Sequence, residues 1–265
     1  MTVRVVVSGT GNMGREVLAA VTRAPDMEPA GVLEKFAQGD TVGLPGGGSV
    51  PMSAGVPALL DRARPDVIID FTNAEWTPLV ARAALERGVR MVIGTTGLPD
   101  AWLKEFESEC AKRGVGAVIA PNYALGAVLM IHMAKIAARF YGAAEIIELH
   151  HDKKADAPSG TALATAQGML DARGKPFDRN VPDREPLPGA RAAETGGVTI
   201  HSVRLPGLVA HQEVLFGGQG ETLRIRHDTT GRDSFMPGVL LATREVMRRK
   251  DLVRSLEALF GLSMR

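Results

Sequence analysis

Apolar positions along the first half of the chain come in short runs, the first interrupted by Arg4, each ending in a polar or glycine-rich segment. Val3 to Ser8, Pro29 to Leu33, Val67 to Phe71, Arg90 to Ile93 and Val115 to Ile119 read as strands buried on both faces. Between them, Arg15 to Arg23, Trp76 to Arg87 and Ala101 to Arg113 carry apolar residues at helical spacing. Phe36 to Val50 is rich in glycine and reads as a loop. Strands alternating with helices predict a parallel sheet covered on both faces, and ligands of such sheets bind beyond the carboxyl ends of the strands.

The rhythm changes after about Gly126. A helix is predicted over Ala127 to Phe140, a strand over Ala144 to His150 and a helix over Ser159 to Leu170. Lys175 to Gly197 reads as an exposed loop. Val198 to Leu205, Val209 to Phe216 and Thr222 to His227 alternate apolar with polar, which predicts an open mixed or antiparallel sheet with one wet face. Helices are predicted over Phe235 to Arg249 and Leu252 to Phe260. The fold class expected is therefore α/β, a parallel sheet covered by helices followed by a second domain of α+β type.

Composition narrows this picture by exclusion. A formal net charge of +1 supplies no global field toward nucleic acid or an acidic membrane. No run of about 18 apolar residues predicts a membrane span, and Val3 to Val7 leads straight into a glycine turn as a first strand. The single cysteine, Cys110, has no internal partner and sits in a predicted helix, which suits a reducing compartment such as the cytoplasm. Met130, His132 and Met133 lie on a helix and read as packing residues.

The first chemical signal is Gly9-Thr10-Gly11-Asn12-Met13-Gly14, directly after a strand and opening a helix. Its glycine spacing permits a tight turn, close approach to a pyrophosphate, and close helix–strand packing. Glu34, at the end of the second strand, stands where an acid holds the adenosine ribose hydroxyls. Lys35 beside it is either a partner for a 2′-phosphate or a solvated surface lysine, so NADH and NADPH both stay open as cofactors.

The second signal is the loop from Glu148 to Ala162. His150, His151, Lys153 and Lys154 put four potential cations within five residues. Ser159-Gly160-Thr161 then opens a helix whose free N–H groups make a carboxylate site. A histidine and a lysine beside an anion site can move a proton during a reaction. Read as structure alone, the segment is a capped helix after a solvated basic loop. A metal is not expected, because consecutive histidines on a strand diverge and no ligand cluster completes a shell. Gly94-Thr95-Thr96-Gly97 reads alone as a strand-to-helix turn, Asn122 after Pro121 as a cap, and Arg232 as a surface arginine.

The run from His150 through Thr161, with His-His, a lysine, and Asp-Ala-Pro-Ser-Gly-Thr, closely resembles the signature of the 4-hydroxy-tetrahydrodipicolinate reductase (dihydrodipicolinate reductase) family. The resemblance takes in the glycine turn, Asp70-Phe71-Thr72, Gly94-Thr95-Thr96-Gly97, Ala120-Pro121-Asn122 and the late strands, in order. It implies an NAD(P)H-dependent reductase of the diaminopimelate route to lysine. Hydride would pass to the ring of a cyclic dicarboxylate, with loss of its hydroxyl as water.

The resemblance also implies a dinucleotide domain over residues 1–123 and 232–265, and a substrate domain over 124–231 that builds a homotetramer. His150 would be the acid/base residue and Lys154 a proton donor. His151, Gly160 and Thr161, with Ser159 and Lys154, would bind the substrate carboxylates. Gly94, Thr95, Thr96, Ala120, Pro121, Asn122, Tyr123, Arg232 and Phe235 would meet the cofactor. No nucleic-acid or membrane partner is implied.

The chain departs from the family pattern in three places. The glycine turn is one residue shorter than the commonest form, Ala124 replaces a serine, and Ala210-His211-Gln212 stands for Gly-Glu-His. Two other readings stay open: a related amino-acid dehydrogenase, and a non-catalytic NAD(P)H-binding sensor. The second needs only the glycine turn and Glu34.

Overall fold

A computed structural model describes residues 2–179, 181 and 184–262. The chain forms two compact units, one built from the residues up to Ala124 together with a stretch starting at Phe235, the other from Leu125 to Ser234.

The first unit is a Rossmann-type α/β layer. In chain order its elements are β1 (Val3–Ser8), α1 (Asn12–Arg23), β2 (Met27–Leu33), β3 (Thr41–Gly43), β4 (Ser49–Ser53), α2 (Val56–Ala63), β5 (Val67–Asp70), α3 (Thr77–Glu86), β6 (Arg90–Ile93), α4 (Asp100–Arg113) and β7 (Ala117–Ile119). The second unit holds α5 (Leu125–Ala138), β8 (Ala143–His150), α6 (Gly160–Arg173), β9 (Ala193–Thr195), β10 (Val198–Arg204), β11 (Ala210–Gly218) and β12 (Glu221–Thr229). After a 3-10 turn at Arg232–Phe235, the chain adds α7 (Met236–Val246), β13 (Leu252–Val253) and α8 (Leu256–Leu259) to the first unit.

The large sheet runs β13-β7-β6-β5-β1-β2-β4-β3, parallel except for the β3–β4 hairpin. Val5, Val6, Val7, Ile68, Ile69, Val92 and Ile93 are wholly buried, as expected of strands covered on both faces. Strand order advances in opposite directions from β1, through β2 on one side and β5 on the other. This is the switch point at which such sheets open a crevice. The carboxyl ends there are Ser8 and Asp70, which pair directly in the ladder.

The small sheet runs β12-β11-β8-β10-β9. Only β8 and β10 pair in parallel, so the sheet is mixed. Its core lies under α5 and α6, where Met130, Ala134, Ala138, Ala162, Ala166 and Met169 meet Ile146, Ile200, Val214 and Phe216. The many alanines let the two helices approach the sheet closely.

Five points of the sequence reading need correction. Phe36 to Val50 contains β3 and enters β4, because Thr41–Gly43 pairs back across Leu44–Gly48. The helix α2 was not predicted. Leu252 to Phe260 begins as the edge strand β13, since Leu252 and Val253 pair with Ala117 and Val118, and only Leu256–Leu259 is helical. Lys175 to Gly197 contains β9, which pairs with β10. Met133, expected to pack, is exposed on α5 while Met130 is buried.

Candidate active site

In the first unit, the glycine turn joins β1 to α1 at the switch point. Gly9 has φ +96, a left-handed conformation that favours glycine. A Cβ on Gly14 would lie 2.0 Å from the Gly9 carbonyl oxygen. The first turn of α1 therefore presses against the loop with no room for a side chain. Gly11 precedes the helix without any side-chain cap, so the first N–H groups of α1 stay available to an anion.

Glu34 closes one side of this turn. Its carboxylate accepts from Thr10 N at 2.9 Å, from Thr10 Oγ1 at 2.6 Å and from Phe36 N at 3.2 Å. Burial alone raises its pKa, but those bonds outweigh burial and hold it below the usual carboxylate range. A cavity of about 710 Å³ opens beside it, lined by Gly9, Arg15, Leu18, Val32, Glu34 and Met52 among others. Apolar walls with one carboxylate at the edge fit an adenosine, with base against the walls and ribose at the acid. Lys35 lies 3.8 Å from Glu75 and 5.5 Å from the Phe36 ring centroid.

The other predicted loops of this unit meet at the same sheet edge. Asp70, fully buried, accepts from Thr72 N at 2.9 Å and from Thr72 Oγ1 at 2.6 Å; the Thr95 and Thr77 hydroxyls lie 3.3 and 3.4 Å away. Thr72 N also contacts Thr95 Oγ1 at 3.1 Å. These bonds tie the ends of β5 and β6 together. A Cβ on Gly94 would fall 2.0 Å from the Phe71 ring, so that glycine serves close packing. Thr96 follows Thr95 on the exposed side of the loop.

From β7, Ala120 N bonds Ile93 O at 3.2 Å, and Asn122 Oδ1 accepts from Ala124 N at 2.8 Å. The Tyr123 side chain is buried and donates from its hydroxyl to Ile93 O at 2.9 Å. It braces the loop from beneath, while Pro121 is exposed and Asn122 partly exposed. Arg232 is exposed and Phe235 partly buried, at the 3-10 turn leading into α7.

In the second unit, His150 ends β8 and His151 leads the following loop, exposed. Residues of β8 alternate, so Ala144, Ile146 and Glu148 face the helices. Glu148 is thus a wholly buried carboxylate at the end of an apolar ladder. Its Oε2 meets His150 Nδ1 at 2.5 Å, and Arg204 reaches both oxygens at 2.8 and 2.9 Å. Burial pushes the Glu148 carboxyl up, but the bonds from Arg204, Ser202 and His150 outweigh it and keep it below the usual range. The His150 pKa is lowered as well, because burial disfavours the charged ring more than Glu148 favours it. The ring is therefore neutral near pH 7.

Lys154 Nζ donates to Asp156 Oδ1 at 2.7 Å, and its charge helps lower the pKa of His150. Ser159 is buried and caps α6, its Oγ accepting from Ala162 N at 3.2 Å. That cap leaves the N–H groups of Gly160 and Thr161 at the helix start for an outside anion. Open space surrounds Gly160 where a Cβ would stand.

The sequence reading missed Glu148 and Arg204 as parts of this cluster. Glu148 was legible as the residue two before His150 on one strand face. Arg204 lies on another strand, and only the β8–β10 register sets it beside His150. Among the described residues, no group of three or more His, Cys, Asp or Glu forms a metal cage, and no helix is long and apolar enough to cross a membrane. Cys110 is buried and its thiol is pushed up to about 12, chiefly by burial.

Comparison with known proteins places this arrangement. The description "Dihydrodipicolinate reductase, N-terminus" matches residues 3–123, and "Dihydrodipicolinate reductase, C-terminus" matches residues 126–260. The 4-hydroxy-tetrahydrodipicolinate reductase of Dehalococcoides mccartyi is 47% identical over 262 residues, covering 98% of this chain and 99% of the relative. That of Bacillus subtilis is 44% identical over 259 residues, covering 97% of each. A dipicolinate-bound dihydrodipicolinate reductase from a Paenisporosarcina species superposes with a TM-score of 0.89 at 41% identity, covering 97% of this chain and 99% of that one. An amine dehydrogenase from Mycobacterium smegmatis, 14% identical with a TM-score of 0.68 over 100% of this chain and 98% of its own, shares the fold.

Proposed function

The chain belongs to the dihydrodipicolinate reductase family, and on that premise we propose that His150 and Lys154 deliver the proton of the family's reaction while Gly160 and Thr161 hold a substrate carboxylate. The reaction is the NAD(P)H-dependent reduction of 4-hydroxy-tetrahydrodipicolinate to tetrahydrodipicolinate in lysine biosynthesis. One hydride and one proton enter the ring, and one water leaves.

The glycine turn, Glu34 and the adjoining cavity fit a dinucleotide: Gly14 packs α1 against Gly9, and nothing lies within 4 Å of a Cβ at Gly11, which leaves the backbone open to a pyrophosphate. Gly9 to Gly14 would take the pyrophosphate on the N–H groups of α1, and Glu34 the ribose hydroxyls. Gly94, Thr95, Thr96, Ala120, Pro121, Asn122, Arg232 and Phe235 would complete the cofactor contacts, with Tyr123 bracing them. Bound there, the reduced nicotinamide supplies the hydride.

The protein's own work lies in the second unit. The uncapped N–H groups of Gly160 and Thr161 grip one carboxylate, Lys154 adds positive charge around it, and His151 adds a ring N–H donor. Two fixed carboxylates would hold the ring in one pose. Hydride arrival leaves electron density that takes a proton from Lys154, or from His150 once its Nε2 lone pair has taken up a proton. The observation that carries this reading is a single carboxylate, Glu148, accepting from both the His150 ring and Ser159 N at the start of α6. A relative solved with dipicolinate supports a cyclic dicarboxylate as ligand. With this reading go a substrate-binding and oligomerisation role for residues 124–231, a homotetramer, and a cytoplasmic place of action.

The test generates the unstable substrate in situ with its upstream synthase and follows nicotinamide absorbance with NADH and with NADPH. Oxidation is expected with at least one. Silence with both, from folded protein that binds the dinucleotide, would overturn the reading.

A further inference from the structure

We infer that Glu148 is a positioning residue that fixes His150 as its Nδ1–H tautomer and locks that ring to the carboxylate-binding start of α6. The inference rests on the function proposed above, but its test does not.

Four nitrogens of three residues converge on this one buried side chain. Oε2 meets His150 Nδ1 at 2.5 Å and Arg204 NH1 at 2.9 Å; Oε1 meets Arg204 NH2 at 2.8 Å and Ser159 N at 3.2 Å. The two-pronged Arg204 contact keeps the carboxylate ionised in a place that excludes water. An ionised carboxylate only accepts hydrogen bonds. The ring nitrogen facing it must therefore carry the hydrogen, and Nε2 of the neutral ring carries the free lone pair. Arg204 is held in turn by the Asp156 and Val203 carbonyl oxygens at 2.6 and 2.7 Å. The loop that carries Lys154 is thus tied to the same post.

The Ser159 contact gives the post its second duty. Ser159 N is the last donor before the helix, and its own hydroxyl caps Ala162 N. Holding Ser159 sets where Gly160 and Thr161 present their N–H groups. One carboxylate thereby sets the spacing between the proton-carrying ring and the anion cradle. The charges around His150 are Glu148 on β8, Arg204 on β10, and Lys154 with Asp156 on the loop; on β11 the directly paired residue is the uncharged Ala210. Among them, Glu148 raises the proton affinity of the ring, while Lys154 and Arg204 lower it.

The experiment is nitrogen-15 NMR of the His150 ring in the ligand-free full-length protein across a pH series, assigned with His150→Gln. The wild type is expected to show the Nδ1–H tautomer, titrating below about 6.5. In Glu148→Gln the midpoint is expected to fall further, because the group that favours the charged ring has lost its charge. The same variant is expected to lose about tenfold to a hundredfold in kcat/KM, with its pH profile shifted in the same direction and its NAD(P)H affinity unchanged. An Nε2–H tautomer in the wild type overturns the inference, whether or not Glu148→Gln folds. So does an unmoved midpoint in folded Glu148→Gln. Failure of the activity assay alone would count against the proposed reaction and leave the tautomer result standing.

Discussion

Gln212 on β11 donates from Nε2 to the Thr165 hydroxyl on α6 at 2.9 Å, and that hydroxyl donates onward to Thr161 O at 2.7 Å. Both side chains are buried, and Gln212 pairs in register with Glu148. Gln212 is part of the Ala210-His211-Gln212 departure, so the departure builds an internal strut. Thr165→Val leaves the Gln212 amide buried without its acceptor and is expected to cost about 1–3 kcal/mol. Gln212→Met also removes an Oε1 that has no partner, and is expected to cost less. The double variant should recover most of the Thr165→Val loss, as read from denaturation midpoints in a double-mutant cycle.

Arg204→Met removes the cation from a wholly buried carboxylate. Loss of one partner of a buried pair is expected to cost about 3–5 kcal/mol, visible as a lowered midpoint in chemical denaturation. The wild type should show the matching pH dependence. The Glu148 pKa is lower in the folded chain than in the unfolded one. Its stabilisation is present above the unfolded pKa, near 4.3, and is lost as pH falls through the folded value.

Asp70 carries the opposite sign. Burial raises its pKa more than the threonine hydrogen bonds lower it, and its Oδ2 has no partner. A raised folded pKa means stability present at low pH and lost as pH rises through that value. Asp70→Asn can keep the same acceptor without a charge. The stability of the Asn variant relative to wild type is expected to improve as pH rises from 4 to 7. A difference independent of pH would show that the carboxyl titrates normally.

Gly14→Ala drives a methyl group to 2.0 Å from the Gly9 carbonyl oxygen. The turn must open, and NADH binding measured by calorimetry is expected to weaken by at least about tenfold, on the premise that the third glycine of the fingerprint packs helix to strand. Gly11→Ala meets no atom within 4 Å of its Cβ in the ligand-free turn. Its effect should appear in cofactor affinity and not in thermal stability.

His150→Gln and Lys154→Ala are expected to lower kcat by roughly a hundredfold to ten-thousandfold, the usual worth of a positioned acid or base. NADH affinity should survive in both, because neither residue lies in the glycine-turn unit. An equal loss of cofactor affinity and turnover would remove the catalytic assignment. His151→Ala is expected instead to raise the substrate KM with kcat largely kept, because the exposed ring would bind a carboxylate and move no proton.

The local elements were legible because local rules govern them. Short runs of three apolar residues marked β1, β5 and β6, and the glycine spacing marked the turn between β1 and α1. Where pairing overrules propensity, sequence failed. β3 and β9 are three-residue strands that exist only through their neighbours, and β13 is drawn from a helical pattern by pairing with β7.

By itself, then, the sequence determined the two-part architecture, the glycine turn and the His150–Thr161 loop, since each is encoded by residues close together in the chain. Only the tertiary structure decided what holds that loop in working order. Glu148 and Arg204 are 56 residues apart, and the alignment of β8 with β10 alone makes them an ion pair. A buried charge must find its partner in space, and the order of residues along the chain does not say which one it finds.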